Sequence, residues 1–186
     1  MRIGVLALQG NFREHIATLA GLGVEAVQVR KPEQLAGLDG LIVPGGESTA
    51  IGRLIGLYSL EEPLRKFPGA MFGTCAGMIL MGRDGLLGQV DIGVDRNAYG
   101  RQVASFEADF PLEGEEKPLR GVFIRAPRVT KVGEGVEVLA ELDGDPVLLR
   151  QGRFLVASFH PELTGDTRVH ERFLELVEEE VAGVRS

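Results

Sequence analysis

Three short stretches of this chain carry side chains suited to covalent chemistry on a carbonyl. The first is Gly73-Thr74-Cys75-Ala76-Gly77, a G-x-nucleophile-x-G pattern with cysteine where hydrolases place serine. The turn it implies is so sharp that side chains at the flanking positions would collide, hence the glycines. A thiol at such a turn gains from exposure at a sheet edge, from the positive end of the following helix and from nearby backbone N–H groups. A lone cysteine is ordinarily a small buried hydrophobe, and the elbow context reverses that reading.

A nucleophile of this kind needs a base, and the chain has three histidines. His15 and His170 fall within amphipathic helical patterns among charged neighbours and are expected at the solvated surface. His160 ends an apolar strand and is followed by Pro161 and Glu162. Its neighbour-but-one carboxylate, across a proline that fixes the backbone, can be aimed at the second imidazole nitrogen, holding the tautomer as in serine triads. The third stretch, Pro44-Gly45-Gly46-Glu47-Ser48, offers bare backbone N–H groups. A donor from it, together with the Ala76 N–H, would make an oxyanion hole, where one donor is worth about 2.7–4 kcal/mol in the transition state. Neither a P-loop nor a G-x-G-x-x-G fingerprint follows a strand.

These residues must be positioned by elements, and the first half of the chain supplies alternating ones. Apolar runs at 3–8, 24–29, 41–43 and 70–72 read as strands. Helical spacing follows at 12–20, at 51–58 and at 76–81, with Asn11 and Glu14 resembling a capping box and a short helical turn opening at Pro32. Such alternation predicts an α/β fold, flavodoxin-like and three-layered, with a mostly parallel sheet covered by helices on both faces. Ligand sites of that architecture lie beyond the carboxyl ends of the strands, where Cys75 and His160 both fall. The second half reads as strands at 90–94, 103–108, 122–124, 136–142, 146–150 and 154–159. Some are antiparallel hairpins, with turn signals at Gly144-Asp145 and Gln151-Gly152. A last helix is capped by Asp166 or Thr167 and closed by Gly183.

Composition narrows the class. The 186 residues are 44% apolar and 25% charged, with 20 Lys and Arg against 27 Asp and Glu, a net charge of −7. These are the values of a single folded domain spanning 1–186, without the basic footprint of a nucleic-acid binder. No stretch reaches the roughly 18–20 apolar residues of a membrane span, and the short N-terminal apolar run is unlike a signal peptide. A cytoplasmic location is expected. One cysteine allows neither an internal disulfide nor a multi-cysteine zinc site, and no metal or cofactor is expected.

Taken together, residues 73–77, 44–46 and 160–162 resemble the class I, triad glutamine amidotransferases. The stretches 8–10, 44–49, 96–102 (Arg-Asn-Ala-Tyr-Gly-Arg-Gln), 123–127 (Phe-Ile-Arg-Ala-Pro) and 158–163 are similar, within that class, to the family of glutaminase subunits of pyridoxal 5′-phosphate synthases. The resemblance spans nearly the whole chain. It implies hydrolysis of L-glutamine to glutamate and ammonia, with ammonia handed to a separate synthase subunit for pyridoxal phosphate (vitamin B6) biosynthesis. It also implies Cys75 as nucleophile, His160 as base and acid, Glu162 as orienting partner, and Gly46, Glu47, Ser48, Arg101, Ile124 and Arg125 as the glutamine pocket. In this family glutaminase activity depends on docking. A flippable Gly45–Gly46 peptide would withhold the oxyanion donor until the partner binds, with Gln9 as the docking reporter. The chain departs from the family in an abbreviated stretch at 82–89 and in Tyr99, where Phe is expected. At this point a Cys-type hydrolase or peptidase, a different amidotransferase branch and a flavodoxin-like binding module with an incidental cysteine all stay open.

Overall fold

The structure, a computed structural model, describes residues 1–96 and 105–185. The chain opens with β1 (Arg2–Leu6), α1 (Phe12–Gly21), β2 (Glu25–Val29), a 3-10 turn (Pro32–Leu35), β3 (Gly40–Val43), α2 (Ser48–Leu57), α3 (Glu61–Arg65), β4 (Ala70–Thr74) and α4 (Ala76–Met81). It continues through β5 (Ile92–Asp95), β6 (Ser105–Phe110), β7 (Leu119–Ile124), β8 (Arg128–Val132), β9 (Glu137–Leu142), β10 (Asp145–Gln151), β11 (Phe154–Ala157) and α5 (Arg168–Arg185).

Seven strands form one sheet in the order β2-β1-β3-β4-β11-β10-β9. Its first five are parallel, and β10 and β9 run antiparallel at the far edge. The parallel part therefore has the 2-1-3-4-5 order of flavodoxin-like folds. The period-2 alternation of strands sorts the apolar side chains into two cores. Ile3, Val5, Ile42, Phe72, Leu148 and Ala157 face α1, α5 and the β6–β7 hairpin. Leu6, Leu41, Val43, Met71, Leu149 and Val156 face α2, α3, α4 and the β5–β8 ribbon. This is the three-layer architecture that the sequence predicts, with antiparallel strands later in the chain.

Several boundaries differ from expectation. The strand β8 and the short helix α3 carry too few consecutive apolar residues to be read from pattern. Gly183 does not close α5, which runs on to Arg185. The stretch 82–89 folds back on α4 through Leu87 N–H to Leu80 O and Gln89 N–H to Met81 O, both 2.8 Å. Among the described residues no helix is long and apolar enough to cross a membrane.

Candidate active site

β4 ends at Thr74 and α4 begins at Ala76, so Cys75 makes the turn alone, at φ 52° and ψ −103°. A non-glycine residue held there costs on the order of 1–3 kcal/mol, and such strain is the mark of a nucleophile elbow. A Cβ at Gly77 would stand 2.1 Å from the Val43 carbonyl oxygen, and one at Gly73 would stand 2.7 Å from the Gly77 backbone. Those are the collisions that the two glycines avoid. The Cys75 N–H donates to the Ala157 carbonyl at 2.8 Å, binding the elbow to the neighbouring strand β11. Its Sγ lies 3.8 Å from the Ile124 carbonyl oxygen. Ala76, buried, presents one of the first-turn N–H groups of α4, which have no intrahelical acceptor.

β11 delivers His160 to the same rim. Its N–H donates to the Val122 carbonyl at 2.8 Å, and Pro161 starts a single 3-10 turn (Pro161–Leu163) that brings Glu162 back to the ring. Nδ1 of His160 lies 2.6 Å from Glu162 Oε1, with both side chains almost wholly buried. Cys75 lies close enough to the same ring to raise its pKa. Burial opposes a charged imidazole here, but the interactions with Cys75 and Glu162 outweigh it, raising the His160 pKa to about 10. Burial likewise opposes the Glu162 carboxylate. The His160 bond overcomes that too, holding Glu162 down to about 2. Cys75, His160 and Glu162 thus lie together at one rim of the sheet.

Three more side chains surround this group, none of them in the role that sequence pattern gives it. His15 and His170 are not at the surface: both are fully buried, because α1 and α5 turn those positions toward the sheet. His15 Nδ1 lies 2.9 Å from His170 Nε2, and His15 Nε2 lies 3.2 Å from Thr74 Oγ1 and 3.4 Å from Glu162 Oε2. Asn11 sits at the start of α1 but caps nothing with its side chain. Its Nδ2 instead donates to Glu162 Oε1 at 3.2 Å and approaches His160 Nδ1 at 3.4 Å.

The loop after β3 lies over the pair. A Cβ on Gly45 would be 2.5 Å from His160 Cε1 and 3.2 Å from Cys75 Cβ. The Gly45 carbonyl accepts from the Asn11 N–H at 2.9 Å. The trans peptide therefore turns the Gly46 N–H away from Asn11, and it hydrogen-bonds to no described group. Gln9 crosses behind, its Oε1 accepting from the Glu47 N–H at 2.9 Å. Glu47 caps α2, accepting from the N–H groups of Thr49 (3.0 Å) and Ala50 (2.7 Å), and these bonds keep its carboxylate below the usual range. Ser48 Oγ accepts from Arg96 at 2.6 Å, a contact that gives Arg96 a place beside the loop. Ile124 and Arg125 are exposed at the end of β7. Arg125 has a left-handed backbone (φ 44°), and its guanidinium has no hydrogen bond or ion pair among the described residues. Arg101 and Tyr99 lie outside the described residues.

Residues 5–179 match the SNO glutamine amidotransferase family. The chain belongs to that family. Relatives named pyridoxal 5′-phosphate synthase subunit PdxT, from Pelotomaculum thermopropionicum and Thermus thermophilus, are 57% and 56% identical. Each alignment covers 94% of this chain, and respectively 94% and 96% of the relative. A solved glutamine amidotransferase structure, 53% identical, superposes with a TM-score of 0.89 over 95% of this chain and 98% of its own. The solved PurLQS structure from Thermotoga maritima, with a chain 15% identical, superposes at 0.64 over 100% of this chain and 99% of that one, a likeness of fold alone. The ends of β4 and β11 and the loop after β3 bring Cys75, His160, Glu162 and Gly45 together at one rim.

Proposed function

We propose that residues 1–186 form one glutaminase domain that hydrolyses L-glutamine through Cys75, His160 and Glu162. The observation that carries this reading is the short His160–Glu162 bond of 2.6 Å beside a strained Cys75. The carboxylate fixes a proton on Nδ1, and the raised pKa of His160 favours the imidazolium that holds the thiol proton on Nε2. The thiolate attacks the amide carbon, and the N–H groups of Gly46 and Ala76 receive the tetrahedral oxyanion. The imidazolium then protonates the departing ammonia, and water hydrolyses the thioester by the same route. Arg125, with Arg101, supplies guanidinium for the glutamine α-carboxylate, and Glu47, Ser48 and Ile124 line the remainder.

The names of the relatives support a partner synthase, taking the ammonia for pyridoxal 5′-phosphate formation. The Gly45–Gly46 peptide, lodged between Asn11, Gln9 and the catalytic pair, is the element that docking would act on. The test is glutamate release by the chain with its synthase subunit. Cys75→Ala is expected to abolish release while preserving the circular dichroism spectrum and melting temperature. A glutamine-like electrophile should label Cys75 and be blocked by excess glutamine. Turnover retained in purified Cys75→Ala overturns the nucleophile assignment, and labelling indifferent to glutamine favours a hydrolase of another substrate.

A further inference from the structure

Glu162 has two carboxylate oxygens, and the triad uses one. Oε1 receives His160 and Asn11. Oε2 is buried, takes no hydrogen bond from any described side chain and has His15 Nε2 at 3.4 Å. A buried anionic oxygen without a positive dipole against it is costly, so the protonation of His15 is decided by this contact. With the proton on Nε2, the ring donates to Thr74 Oγ1 and sets the positive edge of that N–H dipole 3.4 Å from Oε2 without a hydrogen bond to it. With the proton on Nδ1, a nitrogen lone pair would face the carboxylate. The rest of the network agrees. His15 Nδ1, then an acceptor, meets the His170 Nε2–H at 2.9 Å. The atoms left over are the Thr74 hydroxyl proton and His170 Nδ1, the latter a buried acceptor without a partner among the described residues, which is tolerated better than an orphaned N–H. Thr74 Oγ1 also accepts from the Gly45 N–H at 3.1 Å, so one hydroxyl joins His15 to the loop over Cys75. The charged and titratable groups facing His15 are Glu162, His160, Glu14 and His170. Burial dominates among them and keeps the ring neutral.

We propose that His15 is a positioning residue for the reaction: as the Nε2–H tautomer it steadies the second oxygen of Glu162 and, through Thr74, the Gly45–Gly46 loop. The proposal rests on the glutaminase reading above for its kinetic part and on the network alone for its tautomer. With three histidines in the chain, ¹⁵N-histidine labelling gives a spectrum that single variants assign. His15 should show a protonated Nε2 and an unprotonated Nδ1 throughout neutral pH. In the complex with the synthase subunit, His15→Phe should lower kcat about five- to tenfold, the worth of one neutral hydrogen bond. KM for glutamine should change less than about threefold, since His15 lies behind the triad and not in the pocket. His15→Gln, which restores an N–H donor, should recover most of kcat. His170→Phe should stay within about threefold of wild type, which separates the donor from mere filling of the core. Where His15→Phe does not fold, His15→Leu takes its place, and the wild-type spectrum needs no variant. An Nδ1–H or doubly protonated His15, or wild-type kcat in a folded donorless variant, overturns the proposal. Absence of glutamine hydrolysis by the wild-type complex would strike the glutaminase reading instead, and the tautomer spectrum would still decide the placement of His15.

Discussion

The most stringent test of the site's geometry is a single methyl group. In Gly45→Ala the new Cβ would lie 2.5 Å from His160 Cε1, 3.0 Å from Nδ1 and 3.2 Å from Cys75 Cβ. Carbon atoms in contact sit about 3.5–4.0 Å apart, so something must give by about 1 Å. The imidazole cannot recede without stretching its 2.6 Å bond to Glu162. The loop is held in turn by Gly45 N–H to Thr74 Oγ1 at 3.1 Å and by Asn11 N–H to the Gly45 carbonyl at 2.9 Å. Displacing a catalytic group by about 1 Å costs about a hundredfold in rate. Overpacking of this kind costs about 1–3 kcal/mol, which for a chain of this size lowers Tm by roughly 2–12 °C. The assay is glutamate release in the complex, with circular dichroism and a thermal melt on the isolated chain. A folded Gly45→Ala protein with kcat within about threefold of wild type would refute the placement of this loop over the catalytic pair.

The same construction predicts the opposite outcome at Gly56, in α2, where a Cβ meets nothing within 4 Å. Gly56→Ala should stabilise the helix by about 0.5–1 kcal/mol and raise Tm by about 1–4 °C without changing glutamine turnover, as read by a melt and a glutaminase assay. Stability should also depend on pH with a definite sign. His160, raised from 6.5 to about 10, contributes fully below 6.5 and loses that contribution toward 10. Glu162, lowered from 4.5 to about 2, and His170, lowered from 6.5 to about 3, contribute above 4.5 and 6.5 and lose it as pH falls. Each group can add a slope of up to about 1.4 kcal/mol per pH unit. Denaturant unfolding should therefore show a maximum near 6.5, with His170→Phe flattening only the acid side.

How much of this was legible in the sequence depended on whether the cause was local. The elbow could be read because glycine at 73 and 77 answers a collision within one turn. His-Pro-Glu could be read because proline fixes a two-residue reach. The parallel sheet followed from strands alternating with helices, and the sheet order then brought the ends of β3, β4 and β11 together. Asn11 misled for an instructive reason: its position does begin a helix, but the Glu162 carboxylate takes the side chain that a cap would use. The polar β8 reads as loop because only Val129 is well buried along it, and its pairing with β5 is a long-range fact.

His15 and His170 fail differently, since their signal was present and was outweighed by their charged neighbours. Phe12, His15 and Leu19 are the buried positions of α1, spaced at i, i+3 and i+7, the apolar stripe of an amphipathic helix. His170 sits beside Val169 and three residues before Phe173, on the inward face of α5. Periodicity thus assigned both histidines to the interior, where an unpaired imidazole is expensive. Two inward histidines on helices packing against the same sheet face must find partners, and each other and Thr74 are the ones within reach. A third polar group, the second oxygen of Glu162, lies at the end of that chain because β4 carries both Thr74 and the elbow. The buried pair is therefore a consequence of the same register that builds the Cys75 elbow. That shared register is why a side chain on α1, remote in sequence from every motif, stands in contact with the Glu162 carboxylate.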